Sequence, residues 1–376
     1  MSITIGLDLL FVEPAATGGM ETYARRLVPE LPAAMPEASF VVFAGRELAC
    51  EWVRRPWHPQ IEVIGLPVAA RSRVARTIVE STLLEVAARR RGCRLIHGMG
   101  NAVPLGPGSH RVITVFDCIA FTHPETTGAV LAAGARQLIR AGVRRADRIV
   151  TLTEASSRDL QDLLAVPAGK IDVVSSGPGA LPAVDPAPGA DLRERLGIPD
   201  GPLVLAVAAR RPHKNLERLV EAMAEVPGAT LVLPGFPTAF DGELERAAER
   251  AGVRHRIALC GWVDDRDLEG LYILADCLVL PSLIEGFGLP VLEAMVRGLP
   301  VVASGIPVLR EVGGDAAVYV DPLSTASLSS GIRSVLHDAD LRQVLVQRGR
   351  ARAERFSWRA AADATAASYR CVLRRS

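Results

Sequence analysis

Glu285 and Glu293 have seven residues between them in P-S-L-I-E-G-F-G-L-P-V-L-E-A-M, with Gly286, Phe287, Gly288 and Leu289 in the gap. The apolar run 277–281 reads as a strand ahead of them. Pro290 suits the first turn of a helix, where its missing N–H costs nothing. Backbone N–H groups exposed by a glycine loop at a helix N-terminus make an anion site, and each carboxylate can accept hydrogen bonds from sugar hydroxyls. A diphosphate flanked by two sugars, one of them a ribose, matches that arrangement. A plain strand-to-helix turn, with an acidic residue favouring the helix dipole, gives the same local pattern. A second candidate, Arg211-Pro212-His213-Lys214-Asn215, follows the strand expected at 203–209 and so lies at the rim of the same sheet. Lys214 is one of two lysines, with Lys170, among basic residues that are otherwise arginine. Cations at a helix start oppose the dipole, so the segment is either an ordinary surface turn or a place that needs positive charge.

Short Val- and Ile-rich runs alternate with amphipathic stretches of helical length, the pattern of βα units feeding parallel sheets. Strands are expected at 3–8, 40–45, 61–66, 95–98, 112–116, 148–153 and 171–175. A second series follows at 203–209, 230–234, 257–260, 277–281, 300–304 and 317–320. Two doubly wound parallel sheets facing a central cleft are implied, in an N-terminal domain 1–176 and a C-terminal domain 203–355. A Pro-, Gly- and Ala-rich linker at 177–202 separates them, with a short helical piece at 190–196. The segment 356–376 reads as an amphipathic helix whose aromatic start docks it back toward the N-terminal domain. Ligands of such sheets bind beyond the carboxyl ends of strands.

Composition narrows the function. The chain has 376 residues, 49% hydrophobic and 23% charged, with a net charge of +1, which provides no field for holding nucleic acid. The N-terminus M-S-I-T-I-G-L-D-L-L-F-V-E-P carries Asp8 and Glu13 and no basic leader, so a first strand and a cytoplasmic protein are expected. The six cysteines (50, 93, 118, 260, 277 and 371) have no C-x-x-C pairing and read as small buried hydrophobes. The triplets Asp265-Arg266-Asp267 and Asp338-Ala339-Asp340 adjoin helical stretches, where acidic residues serve as caps; no essential metal is expected. Arg71, Arg73 and Arg76, Arg89 to Arg91, and Arg136, Arg140, Arg144 and Arg145 read mostly as solvated helix faces. Gathered on one surface, they would attract anionic lipid head groups by about 1 kcal/mol each and place the protein at the inner face of a membrane.

The motif E-x7-E, in its G-F-G-L-P-V-L-E-A-M context and with G-L-P-V-V-A-S downstream, resembles the signature of the family 4 glycosyltransferases of GT-B fold. Gly18-Gly19-Met20-Glu21, T-L-T-E-A-S-S-R-D-L at 151–160, R-P-H-K-N at 211–215 and G-W-V at 261–263 extend the resemblance along nearly the whole chain. It implies a retaining hexosyltransferase that takes a sugar from a UDP- or GDP-sugar to a glycan, lipid-linked or small-molecule acceptor, as in polysaccharide biosynthesis. The nucleotide-sugar would be a co-substrate and no cofactor is needed. The resemblance implies Arg211 and Lys214 on the donor diphosphate, with Arg210 as an alternative to Arg211, and Glu285 on the donor sugar. It places Glu293 on the ribose and Gly18, Gly19, Val263, Gly286, Phe287, Gly288 and Leu289 around the donor. Fixed cations would stabilise the charge that develops on the leaving phosphate. Enzymes of that family often carry a histidine where Phe116 stands here. Asp117, or His97 after the 95–98 run, is then left to orient the acceptor hydroxyl. A non-catalytic nucleotide-sugar or glycan-binding protein, or a sugar-nucleotide epimerase or hydrolase, would share much of this pattern.

Overall fold

The computed structural model describes residues 3–14, 18–126, 128–179 and 184–374. The chain forms two compact units, Met1–Gly177 with Phe356–Ser376, and Pro178–Arg355. In unit 1 the strands are β1 (Ile3–Leu9), β2 (Ala38–Ala44), β3 (Glu62–Gly65), β4 (Cys93–Gly98), β5 (His110–Thr114), β6 (Arg148–Thr151) and β7 (Ile171–Val173). In unit 2 they are β8 (Leu203–Leu205), β9 (Thr230–Leu233), β10 (Ile257–Leu259), β11 (Cys277–Leu280), β12 (Val301–Ser304) and β13 (Ala317–Val320). The first sheet has the order β3-β2-β1-β4-β5-β6-β7 and the second β10-β9-β8-β11-β12-β13, with every neighbouring pair parallel. Helices cover both faces of such sheets, which is why the strands read as unbroken apolar runs. Each run lies where the sequence places one, with ends shifted by a few residues.

The strand order reverses between β1 and β4 in unit 1 and between β8 and β11 in unit 2. At such a switch point neighbouring loops run to opposite faces and leave a crevice at the carboxyl ends of the strands. The loops after β8 and β11 are the ones that carry Arg211–Lys214 and Glu285–Gly288.

The core of unit 2 joins Val204, Leu231, Val279 and Val302 of the sheet to Leu216, Leu219 and Val220 of one helix and Leu328 and Ile332 of another. Burying each such side chain stabilises by roughly 1.5–3 kcal/mol. In unit 1, Ile139 and Val143 of the helix Ala129–Arg145 pack with Ile113 and Ile149. The helix Trp358–Leu373, N-capped by the Ser357 hydroxyl, also belongs to this unit. Its buried face, Trp358, Ala361, Ala362, Thr365, Ala366, Tyr369 and Val372, recurs at the helical period.

Two expectations change. Within the expected linker, residues 180–183 lie outside the described residues, but the helix Gly189–Leu196 is built into unit 2. Its Leu192 is fully buried, and Arg195 grips Asp267 through two bonds of 2.7 Å. A segment with its own apolar face is recruited to a core whatever its flanking prolines. Of the six free thiols only Cys93, Cys118, Cys260 and Cys277 are buried; Cys50 is exposed and Cys371 is half-buried.

Candidate active site

Beyond β8 the chain turns through a single 3-10 turn, Pro212–Lys214, and Asn215 follows in the left-handed conformation at φ 57°. Asn215 holds this shape by donating from Nδ2 to the carbonyls of Pro281 (3.0 Å) and Pro322 (2.7 Å) while accepting from Arg218 at 2.8 Å. The Leu283 N–H donates to the His213 carbonyl at 2.8 Å. These bonds stitch the loop after β8 to the loop after β11. Across the seam Lys214 Nζ donates to Glu285 Oε1 at 2.7 Å, and the Ser282 hydroxyl donates to the same oxygen at 2.7 Å. The two ion-pair side chains are only 18% and 9% exposed. One of three ammonium donors is thus used, and Glu285 Oε2 has no hydrogen-bond partner among the described residues.

The neighbouring arginines part company. Arg210 is buried; its guanidinium donates to the carbonyls of Leu233 and Cys260 and pairs with Asp241 at 2.5 Å, tying the ends of β9 and β10 together. Arg211 is exposed at the rim, and its guanidinium has no partner among the described residues. Arg210 is therefore excluded as the alternative diphosphate ligand.

Gly288 precedes the helix Leu289–Arg297 at φ 94°, and a Cβ there would lie 2.5 Å from Leu309 Cδ2, so only glycine fits. Pro290 lies in the first turn. Phe287 points into the core, as does Val263, so what either could offer a ligand is backbone. Glu293 is buried within the helix and accepts from the Tyr272 hydroxyl at 2.6 Å. Burial beside that carboxylate pushes the Tyr272 phenol well above its usual range. Arg297 stacks 4.6 Å over the Tyr272 ring and pairs with Glu269, which fixes the tyrosine from its other side. Next to Val263, the half-exposed Trp262 stacks on Phe236, with ring centroids 4.5 Å apart.

In unit 1, Gly18 has φ 71° and precedes the helix Gly19–Leu27, and both glycines are exposed. Asp117 lies three residues past β5; its Oδ1 accepts from the Ile119 N–H at 3.0 Å and so opens the short helix Ile119–Thr122. Phe116 is buried and packs edge-on against Tyr23 at 5.1 Å, and Tyr23 in turn meets Trp358 at 5.7 Å. An aromatic cluster thus surrounds position 116, where the family resemblance leads a histidine to be expected. The expectation that His97 faces an acceptor is corrected. It is fully buried, with Nδ1 2.6 Å from the Tyr369 hydroxyl and Nε2 2.8 Å from Thr114 Oγ1. Burial pushes its pKa down to about 3, so the ring is a neutral tie between β4, β5 and the C-terminal helix.

The Asp triplets are helix-building. Asp264 caps Asp265–Leu274 and Asp338 caps Ala339–Ala353, while Asp267 is held by Arg195. Lys170, the other lysine, donates at 2.8 Å to the Val143 carbonyl near a helix end. Sequence reasoning missed Ser282, Tyr272 and Asn215, which orient the two glutamates and the lysine loop. The hydroxyl beside the apolar run and the one tyrosine of Leu271-Tyr272-Ile273 were the available signals.

A model of the Glycosyl transferase 4-like domain matches residues 18–177, and one of Glycosyl transferases group 1 matches residues 190–352. O-antigen chain mannosyltransferase B of Escherichia coli is 31% identical over 270 residues, 70% of this chain and 71% of that protein. A D-inositol 3-phosphate glycosyltransferase of Xylanimonas cellulosilytica is 34% identical over 64% of this chain; the match spans 59% of its own length. Among solved structures, sucrose-phosphate synthase from Thermosynechococcus elongatus superposes with a TM-score of 0.80 at 22% identity, with both chains wholly covered. HepE from Anabaena, solved with UDP-glucose, gives a TM-score of 0.73 at 17% identity over 98% of this chain and all of its own.

Proposed function

This chain belongs to the family 4 glycosyltransferases of GT-B fold, and from that premise we propose that it transfers a hexose, with retention, from a nucleotide-sugar to a glycan, lipid-linked or small-molecule acceptor. The observation that carries the donor assignment is the Lys214–Glu285 pair, 2.7 Å across the switch point of the unit 2 sheet and beside the glycine-led start of the helix Leu289–Arg297. In this reading the remaining Lys214 donors and the exposed Arg211 take the diphosphate, with the Gly286–Leu289 backbone beside them. Glu285 Oε2 accepts from a donor-sugar hydroxyl, and Glu293 serves the ribose. Breaking the anomeric C–O bond moves an electron pair onto the leaving phosphate, and these fixed cations stabilise it without an essential metal. In a front-face route the same phosphate oxygen accepts the proton of the attacking hydroxyl. In unit 1, Asp117 orients the acceptor hydroxyl. HepE, of the same fold, was solved with UDP-glucose, which supports a UDP-sugar as the first donor to try. An acceptor carried on a lipid would bring the enzyme to a bilayer. No helix among the described residues is long and apolar enough to cross one, so contact through these elements would be peripheral.

The test is a panel of UDP-, GDP- and dTDP-sugars, with binding measured by calorimetry and product stereochemistry by NMR. One donor should bind and yield a product of retained anomeric configuration. Lys214→Ala and Glu285→Ala should each lower kcat/KM by at least about a hundredfold. Altered sugar or free nucleotide without acceptor would identify an epimerase or hydrolase instead, and binding without turnover a non-catalytic protein. Variants that match the wild type would overturn the donor site.

A further inference from the structure

Among the described residues three other than glycine hold a left-handed backbone: Asn101 at φ 63°, Ala165 at φ 52° and Asn215 at φ 57°. Ala165 closes the helix Glu154–Leu164, an ordinary helix end. The two asparagines stand in corresponding places, each in a loop that leaves a strand at the switch point of its sheet. Their side chains are used differently. In Asn215 the whole amide is engaged, Nδ2 by two carbonyls and Oδ1 by Arg218. In Asn101 only Oδ1 is engaged, accepting from the Phe116 N–H at 2.9 Å. Because that partner is a donor, the atom facing it must be the oxygen, and the NH2 end is turned elsewhere. Nothing among the described residues accepts from Nδ2, although Asn101 is half-buried.

The loop that carries Asn101 is fixed from both sides. Its own N–H donates to the Thr114 carbonyl at 3.2 Å, at the end of β5, and the Met99 N–H donates to the Asp8 carbonyl at 3.4 Å, near the end of β1. Between them Gly100 lies against Phe11; a Cβ there would stand 2.3 Å from Phe11 Cδ1. In 99–104 and 115–118, the stretches just past β4 and β5, the side chains are apolar but for Asn101, Asp117 and the buried Cys118 thiol. The bond to the Phe116 N–H fixes the peptide immediately before Asp117. The two polar side chains are chemical complements, since a carboxylate accepts and the unengaged end of the amide donates. A turn alone does not require this amide. Glycine holds such a φ without steric cost, and aspartate would make the same bond to Phe116.

We propose that Asn101 is a further acceptor-binding residue, its Nδ2 donating to a hydroxyl oxygen of a sugar acceptor at the carboxyl ends of β4 and β5. The inference rests on the reading that Asp117 of unit 1 orients the acceptor, and adds a residue to it. A hydroxyl that gives its one proton to Asp117 still has lone pairs, and Nδ2 supplies the donor for them. Oδ1 keeps its bond to Phe116 throughout, so the amide does not have to reorganise when the sugar arrives. A donor and an acceptor held by neighbouring rigid loops fix the direction of the O–H bond, and with it which ring hydroxyl is presented for transfer.

Methyl α-glucoside, methyl α-mannoside and methyl α-galactoside, soluble probes with free ring hydroxyls, test it on the whole protein by saturation-transfer NMR titration without any sugar donor. At least one should bind. Asn101→Asp keeps an oxygen for the Phe116 N–H and tolerates the left-handed backbone, but meets the hydroxyl's lone pairs with a carboxylate. It should melt within about 2 °C of the wild type. It should bind the probe at least about tenfold more weakly, the loss of one hydrogen bond. Its affinity for a nucleotide-sugar, measured by calorimetry, should stay within about twofold of the wild type. Asn101→Ala loses both bonds, and should bind the probe as weakly and melt lower. No binding of any probe by the wild type would overturn the proposal. So would an Asn101→Asp variant that binds the probe like the wild type, which would leave the amide a turn-former only, or one that loses donor affinity as much as probe affinity. Failure of every nucleotide-sugar to bind would sink the transfer reading by itself, while the probe titration still decides the role of Asn101.

Discussion

Arg210 and Arg211 show how much of a site is decided one side chain at a time. Arg210 is spent on two carbonyls and the half-buried Asp241, and its removal leaves all three without their cation. Arg210→Ala should therefore cost about 3–5 kcal/mol of stability in denaturant unfolding. Arg211→Ala should change stability by less than about 0.5 kcal/mol, since nothing among the described residues holds its guanidinium. In the proposed reaction it should still lower kcat/KM by at least about a hundredfold. Spacing could not separate the two, because the difference lies in where β9 and β10 end. His97 carries a second prediction at this scale. Its folded pKa of about 3 lies below the ordinary 6.5, so the unfolded chain binds the proton first as pH falls. Its contribution is whole above pH 6.5 and declines as pH drops toward the folded value. The stability difference between wild type and His97→Gln, measured by urea unfolding, should shrink by about 2 kcal/mol between pH 7.5 and pH 5.

The loop-and-helix elements of unit 2 convert an apolar strand into a site. Gly288 is the hinge of that conversion, at φ 94° with Leu309 where a Cβ would go. Gly288→Ala should destabilise by about 1–3 kcal/mol and weaken donor binding together, as thermal melts and calorimetry would show, whereas Gly18→Ala, with open space around it, should pay only the backbone strain of about 1 kcal/mol. Strands and the helix at Pro290 were legible in the sequence because apolar runs and proline act locally. The seam between the two loops was not. Asn215 reaches carbonyls 66 and 107 residues along the chain, and no local pattern announces such a partner. His97 misled for the same reason. A histidine closing a strand looks like a rim residue until Tyr369, 272 positions away, is seen against it.

On the scale of the molecule, the alternation of runs was enough to give two parallel sheets, and family motifs spread over both units identified the fold. Strand order within each sheet, which sets the switch points, had to come from the structure. The return of the helix Trp358–Leu373 to unit 1 yields a prediction of its own. A chain ending at Arg355 would lose the cover over Tyr23 and Phe116 and the partner of His97 Nδ1. Hydrogen exchange should then show β4 and β5 deprotected while β8 and β11 keep their protection. That helix also sets a timetable. On the ribosome the strands of unit 1 emerge first, then all of unit 2, and only then the residues that close unit 1. Unit 2 can finish folding as it leaves the tunnel, while the earlier-made sheet waits with an aromatic face still wet. The first unit to be translated is the last to be completed, and a nascent chain stalled before residue 358 is the form most in need of a chaperone.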